Sequence, residues 1–455
     1  DELSIRQFFT RKFLGLLFNK SVLYSIGTNT PLKHPLPKEW RDVLIAQGVS
    51  VNNFSCAVLW HAYGFLFWGY GTLNGFNSIR LLLNEQPPIE KYVYFDGLNS
   101  DNISTNPDSY NIVNWYLQWK GRASEVDVIC HSSSVTHEFK LGKVAIVKTD
   151  GLPRLKSLKL FKYSIFIIYR SFYDLLRLPF KPIYGLLLEE FIKLKRIELA
   201  DDINLAKDYL FHNSSPFYRP IWTYLAEERG ARLLFYFYST NTENFKTVDG
   251  YPLQSPWHLI SWPNYLVWDE YQMDFVKRFA HGNPTIEGVG SIWFSTNDVE
   301  ISVPLNSIAV FDVTPNRASR YITLGACTEF YVSRVVNQFL NDIQKVLTQN
   351  NYTMTHKMKR TDVNTHKRYS YNIKALREKS NYQMMSPDSD ATKLIQKARA
   401  TISTPFTSTA LIAKLEGKPS VYYDPSGMIQ KDDRAAHGIP VLSSIDELEA
   451  WVKSL

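Results

Sequence analysis

The stretch from Ala400 to Asp424, ATISTPFTSTALIAKLEGKPSVYYD, carries the sharpest chemical signal in the chain. A strand runs into Pro405, and Thr407, Ser408 and Thr409 stand where a helix would begin. The apolar positions Ala410, Ile412, Ala413 and Leu415 would face a sheet, and Gly417 stops the helix before the next strand. Such a start gathers uncovered backbone N–H groups, the positive end of the helix dipole and three hydroxyls, with Phe406 beside them. That is an anion site suited to a phosphate. A plain Ser/Thr cap without a ligand reads the same locally. A cationic run, His356-Lys357-Met358-Lys359-Arg360, follows a predicted strand over 352–356. It would either neutralise phosphate charge on a departing group or form an exposed basic loop. Asp312 to Arg317 follows another strand, which by position makes Arg317 a further phosphate contact. Asp424 would bind ligand hydroxyls or cap the turn Pro425-Ser426-Gly427.

Activating a hydroxyl, or attacking a carbon directly, needs a carboxylate or an imidazole. The candidates are Glu189 and Glu190, which end a basic, apolar helical stretch, Asp269 with Glu270, which follow a predicted strand, and His131 and His212 in loops after strands. Either carboxylate pair would equally serve a structural role. The three cysteines, Cys56, Cys130 and Cys327, lie far apart with no CxxC or Cys/His pairing, so no metal and no disulfide framework is expected and a reducing compartment is favoured. No GxGxxG follows a strand, which argues against a redox dinucleotide enzyme.

These groups need a scaffold. From about residue 90, short β-branched or aromatic runs alternate with helical segments, the pattern of parallel sheets covered by helices. Strands are expected at 92–95, 126–130, 209–211, 233–238 and 265–268, and a helix over 271–279. The loops after the strands (His131 to Ser134, His212 to Ser215, Ser239 to Asn241) would line a ligand crevice. A second series starts at Ser307, continues through a helix over 331–347, and closes with a strand over 419–423 and a helix over 445–455. The length of 455 residues fits two domains. They are placed at 1–298, on the acceptor side with a helical insertion at about 155–200, and at 299–455. The fold class is therefore α/β, with two Rossmann-like domains facing a cleft and an extra N-terminal helical region.

A net charge of +7 suits an anionic ligand or a membrane surface, although solvated faces alone would account for it. Nucleic acid is not an expected partner, since zinc spacings, RNP-like aromatics and dense Lys/Arg helices are missing. Phe54 to Phe76 is long enough to span a bilayer but holds His61, Asn74 and several glycines. Leu155 to Phe191 is broken by Lys156, Lys159, Lys162, Arg170, Asp174, Arg177 and Lys181. Neither reads as a span. The second reads as a helix on a membrane surface, a cover over the acceptor cleft, or a core-packing insertion. Asp1-Glu2-Leu3 lacks the layout of a signal peptide, so a cytoplasmic setting is expected, with peripheral contact at the inner face of the membrane.

Pro405-Phe406-Thr407-Ser408, together with Gly417 to Pro425, His437-Gly438-Ile439-Pro440 and Trp262 to Gln272, resembles the polysaccharide biosynthesis PFTS-motif family. The resemblance covers roughly residues 250 to 455. It implies a surface-polymer glycosyltransferase with two Rossmann-like lobes (the GT-B arrangement), and a more distant similarity to transferases that use CMP-activated ulosonic acids such as Kdo. It further implies a nucleotide-sugar donor acting as substrate, with no resident cofactor, held mainly by the C-terminal lobe, and a glycan or lipid-linked acceptor at the N-terminal one. A non-catalytic assembly subunit, or a nucleotide-sugar epimerase or hydrolase on the same fold, are the alternatives.

Overall fold

A computed structural model describes residues 5, 8–9, 15–84, 91–98, 111–131, 138–213, 218–240, 243–251, 257–292, 300–315, 332–359, 366–387 and 389–455. The first lobe is an eight-stranded sheet: β1 (Tyr92–Phe95), β2 (Val128–His131), β3 (Phe139–Leu141), β4 (Val144–Lys148), β5 (Asp208–His212), β6 (Arg232–Tyr236), β7 (Asn264–Val267) and β8 (Thr285–Gly288). Their order in space is β3-β4-β2-β1-β5-β6-β7-β8, and every pairing is parallel except the β3–β4 hairpin. The second lobe has six strands: β9 (Ser307–Phe311), β10 (Thr353–Lys357), β11 (Tyr382–Met385), β12 (Ala400–Ser403), β13 (Ser420–Tyr423) and β14 (Val441–Leu442). They lie in the order β11-β10-β9-β12-β13-β14, all parallel.

The central strands β5 and β9 are buried at every position. That is why they read as continuous apolar runs rather than as alternation. Helices cover both sheets, as parallel connections require. In chain order they are α1 (Leu16–Thr28), α2 (Lys38–Ala46), α3 (Asn53–Asn84), α4 (Ile112–Gln118), α5 (Ser157–Arg177), α6 (Ile183–Leu199), α7 (Trp222–Glu228), α8 (Glu270–Phe279), α9 (Ser333–Gln349), α10 (Lys367–Arg377), α11 (Ala391–Lys397), α12 (Ser408–Leu415) and α13 (Ile445–Lys453). Several starts follow capping chemistry. Asn111 Oδ1 accepts from the N–H groups of Val113 and Asn114, Asp390 from Thr392 and Lys393, and Ser444 Oγ from Glu447.

The parallel two-sheet architecture is the one the sequence predicts. The β3–β4 hairpin, β8, β11 and β14 are additional strands. The expected domain boundary near residue 298 lies outside the described residues. α5 and α6 stand between β4 and β5, and α3 packs along both of them. Among the described residues no helix is long and apolar enough to cross a membrane. One apolar cluster runs through both lobes, joining Phe237, Trp257 and Phe275 of the first to Phe406, Ile412 and Tyr422 of the second.

Candidate functional site

In an open parallel sheet the ligand crevice opens at the carboxyl edge where the strand order reverses. The first sheet reverses at β1 and β5, and the second at β9 and β12. Backbone bonds tie the strand ends together at both points: Asp96 N–H donates to the Leu210 carbonyl (2.9 Å), and Thr404 N–H to the Phe311 carbonyl (2.9 Å). The Pro405–Ser408 signature therefore sits at the crevice edge of the second sheet, directly after β12. Asp312 Oδ1 and Thr404 Oγ1, on the residues just beyond β9 and β12, are buried with no hydrogen-bond partner among the described residues. Buried polar atoms left in that state are costly unless a ligand or water completes them.

Within the signature the hydroxyls serve the fold. Thr407 Oγ1 donates to the Thr404 carbonyl (2.8 Å), Thr409 Oγ1 pairs with Ser403 Oγ (3.0 Å), and Ser408 Oγ accepts from the backbone N–H of Thr240 (3.3 Å). The sequence leaves open a phosphate site and a plain Ser/Thr cap; short hydroxyl side chains at a helix start readily bond neighbouring protein groups, as these three do. What remains for an anion is the amino end of α12, where Thr407 is the N-cap residue and makes no side-chain cap bond. Phe406 takes the left-handed backbone conformation (φ 61°) and is buried against Phe245 (ring centroids 4.9 Å) and Tyr422 (5.5 Å).

Ser408 and Phe406 belong to a seam between the lobes. Asp269, which follows β7 and caps α8 through Gln272 N–H, also pairs its Oδ2 with His437 Nδ1 of the second lobe at 2.7 Å. His437 sits in the left-handed region, its carbonyl accepts from Lys414 Nζ (2.8 Å), and its ring lies against Tyr271. Glu243 of the first lobe accepts from Arg278 and from Arg434 of the second (2.9 and 2.6 Å). Asp433 accepts from Lys246 N–H and from Tyr251. The seam thus joins loops after β6 and β7 to the start of α12 and the β13–β14 connection.

The first two residues of the basic run belong to a strand rather than to a loop. β10 extends through Lys357, and His356 lies fully buried within it. His356 Nδ1 is 2.7 Å from Tyr382 Oη, and its Nε2 is 3.3 Å from Asp312 Oδ2, which also accepts from Tyr369. Burial, then the Asp312 charge, drives the Tyr369 phenol well above its ordinary range. Lys357 Nζ donates to the Pro387 carbonyl, leaving Lys359 exposed at the carboxyl end of β10. Arg360 and Arg317 lie outside the described residues. Asp424 holds the following turn, accepting from Ser426 N–H and Ile429 N–H at 2.8 Å each, so its carboxylate is occupied by the fold.

The carboxylate candidates separate. Glu189 pairs with Lys193 one turn along α6. Glu190 is buried and accepts from Tyr218 Oη (2.6 Å) and Ile221 N–H (3.0 Å), fastening α6 to the chain before α7. Neither is joined to the seam or the sheet edges by these contacts; Asp269 is. His212, the last residue of β5, lies at the reversal point of the first sheet. Burial lowers its pKa from 6.5, against a weaker opposing pull from Asp96. His131 ends β2 one strand beyond β1. Ser132 to Ser134, Ser214, Ser215 and Asn241 lie outside the described residues. The Asp269–His437 pair joins residues 168 positions apart, which only the fold reveals.

Among solved structures the chain is similar to the UDP-GlcNAc 2-epimerase from Methanocaldococcus jannaschii (9% identity, TM-score 0.41, covering 80% of this chain and 91% of that one). It is also similar to the calicheamicin glycosyltransferase CalG4 (11%, 0.38, 81% and 90%) and to TarM (11%, 0.34, 58% and 51%), spanning about half of TarM's length. No curated protein matches it in sequence. The family model described as polysaccharide biosynthesis PFTS motif protein matches residues 163–452, more than half of the chain and both sheets' reversal-point loops after β12 and β5. The chain belongs to the polysaccharide biosynthesis PFTS motif protein family.

Proposed function

We propose that the protein transfers a sugar from a nucleotide-activated donor to a glycan or lipid-linked acceptor in surface-polysaccharide assembly, working in the cytoplasm. The observation that carries this reading is the crevice edge at β9 and β12. The family signature, the uncapped start of α12 and the orphan polar atoms of Asp312 and Thr404 meet there, against loops of the other lobe. The donor phosphates rest on the backbone amides that open α12, with Lys359 beside the neighbouring strand end. Both meet the negative charge that grows as the bond from the anomeric carbon to the phosphate breaks. A CMP-ulosonic acid is one such donor.

The acceptor oxygen bonds to the anomeric carbon, and its proton passes to a base on the first lobe. His212 fits that role, because burial favours its neutral imidazole and backbone bonds at Asp96 and Gly97 fix its ring at the reversal point, while Asp269 ties the lobes together through His437. Facing lobes also keep water from the activated sugar.

The test is thermal stabilisation by CMP, UDP, GDP and dTDP on wild type and on the Ser408→Asp/Lys359→Ala double variant. A nucleotide at a hundred times its Kd adds about 2.7 kcal/mol. Stabilisation of wild type by one nucleotide, lost in the variant, supports the donor site. No stabilisation by any of them turns the reading toward a non-catalytic assembly subunit.

A further inference from the structure

Two helices of the first lobe, α3 and α5, carry large apolar side chains on their outward faces as well as on their inward ones. α3 and α5 lie side by side over α6: Trp68 Nε1 donates to the Ser171 carbonyl (2.9 Å) and Ser78 Oγ pairs with Tyr163 Oη (3.0 Å). The face of α3 turned inward carries glycine. A β-carbon on Gly64 would sit 2.6 Å from Pro182 Cβ, and one on Gly75 would sit 2.9 Å from Ile192 Cδ1. The inward face of α5 carries Tyr163 and Ile167 in the core together with Ser171 and Asp174, the last buried and paired with Arg170 at 2.9 Å. Large apolar side chains also point the other way. Leu66 and Leu73 on α3, and Phe161, Ile168 and Phe172 on α5, are each more than half exposed, and Phe180 just beyond α5 is 84% exposed. A helix facing water keeps its outward face polar.

Charge around this surface is mainly positive. The 32 residues of α3 hold a single charged side chain, the exposed Arg80. Around α5 the exposed Lys156, Lys162 and Lys181 ring the apolar face, and the one acid of that helix, Asp174, is buried. A broad apolar face bordered by Lys156, Lys162, Lys181 and Arg80, with Asp201 paired to Lys159 as an acid at its edge, carries a positive excess that matches the boundary between acyl chains and anionic headgroups. A protein partner would match the apolar part alone, since nothing in that case requires a basic rim.

We propose that the outer faces of α3 and α5 form a platform that seats the protein on an anionic phospholipid bilayer, both helices lying in the plane of the interface. The platform deepens the sugar-transfer reading, on which it rests only for its purpose, by holding the first lobe at the surface where a lipid-linked acceptor resides. It is a lipid-binding property in its own right, and its test does not read sugar transfer.

The test is vesicle flotation of the full chain with phosphatidylcholine vesicles and with vesicles of phosphatidylcholine and phosphatidylglycerol. The wild type is compared with Leu66→Glu/Leu73→Glu/Phe172→Glu and with Lys156→Glu/Lys162→Glu. All five positions are exposed, so circular dichroism should be unchanged. Wild type should float with the anionic vesicles, the triple variant should lose more than about a hundredfold in binding, and the lysine variant should lose about tenfold. Wild type remaining unbound to both vesicles overturns the proposal, as does a stable dimer in light scattering that the triple variant splits, which would make a second copy the occupant. Equal binding to both vesicle types overturns its electrostatic half.

Discussion

Glu190 is the residue whose chemistry and position part most clearly. A carboxylate ending a basic helix looks reactive in sequence, yet the group is buried and its Oε2 accepts from both Tyr218 and the Ile221 amide. Glu190→Ala should therefore lower stability by about 1.5–3 kcal/mol in urea titration, the range for a lost charge-assisted hydrogen bond. Nucleotide stabilisation of the variant should match wild type; its loss would return Glu190 to the site. His212 carries the pH dependence. Its folded pKa lies below the unfolded value of 6.5, so the neutral ring contributes stability that is whole above 6.5 and drains away as pH falls through the folded value. Melting temperature should fall from pH 7 toward pH 5 in wild type, and His212→Asn should flatten that slope. If His212 is the base, transfer should persist somewhat below pH 6.5 and His212→Asn should lower kcat by about 10²–10⁴-fold.

At the scale of elements, the crossing of α3 and α6 sets a sharp contrast between glycines. A methyl group on Gly185 would fall on the backbone carbonyl of Gly64, which no side-chain rotation relieves, while one on Gly69 meets nothing within 4 Å. Gly185→Ala should cost about 1–3 kcal/mol or more by forcing the helices apart, and Gly69→Ala should be neutral or stabilise by up to about 1 kcal/mol. Paired thermal melts check both. The same scale shows what the sequence makes legible. Strands such as Leu233 to Tyr236 and Ile308 to Phe311 are unbroken apolar runs and are readable for that reason. β11, Tyr-Gln-Met-Met, has no β-branched residue, and β3 is only Phe-Lys-Leu, so local propensity hides both; β4, Val-Ala-Ile-Val-Lys, favours a strand but is short and flanked by Lys143 and Lys148. The basic run misleads because its first residues lie inside β10, where strand phase rather than charge decides where side chains go. Met354, His356 and Met358 share one face, and that face is the core.

For the whole molecule, the lobes are joined by a seam whose parts are far apart in sequence, so no local pattern announces it. Phe406 is its apolar centre, and Phe406→Ala should cost about 3–5 kcal/mol, as for other buried aromatics. Arg434→Ala removes one of two cations from the buried Glu243, and should lower stability while Arg278 still holds that carboxylate. Because the apolar cluster runs through both lobes, wild type should unfold in one calorimetric transition, whereas Phe406→Ala should broaden or split it.

The left-handed backbone at Phe406 has a consequence for modularity. A phenylalanine holds that conformation against local preference only while its ring is enclosed, and part of the enclosure, Phe245, comes from the other lobe. An isolated second lobe would keep the strain and lose that cover. Recombination between relatives should then succeed when the crossover carries the 240–251 segment along with its matching signature, and fail when it separates them. The four letters by which the family is recognised would thus mark a unit of inheritance that spans both lobes.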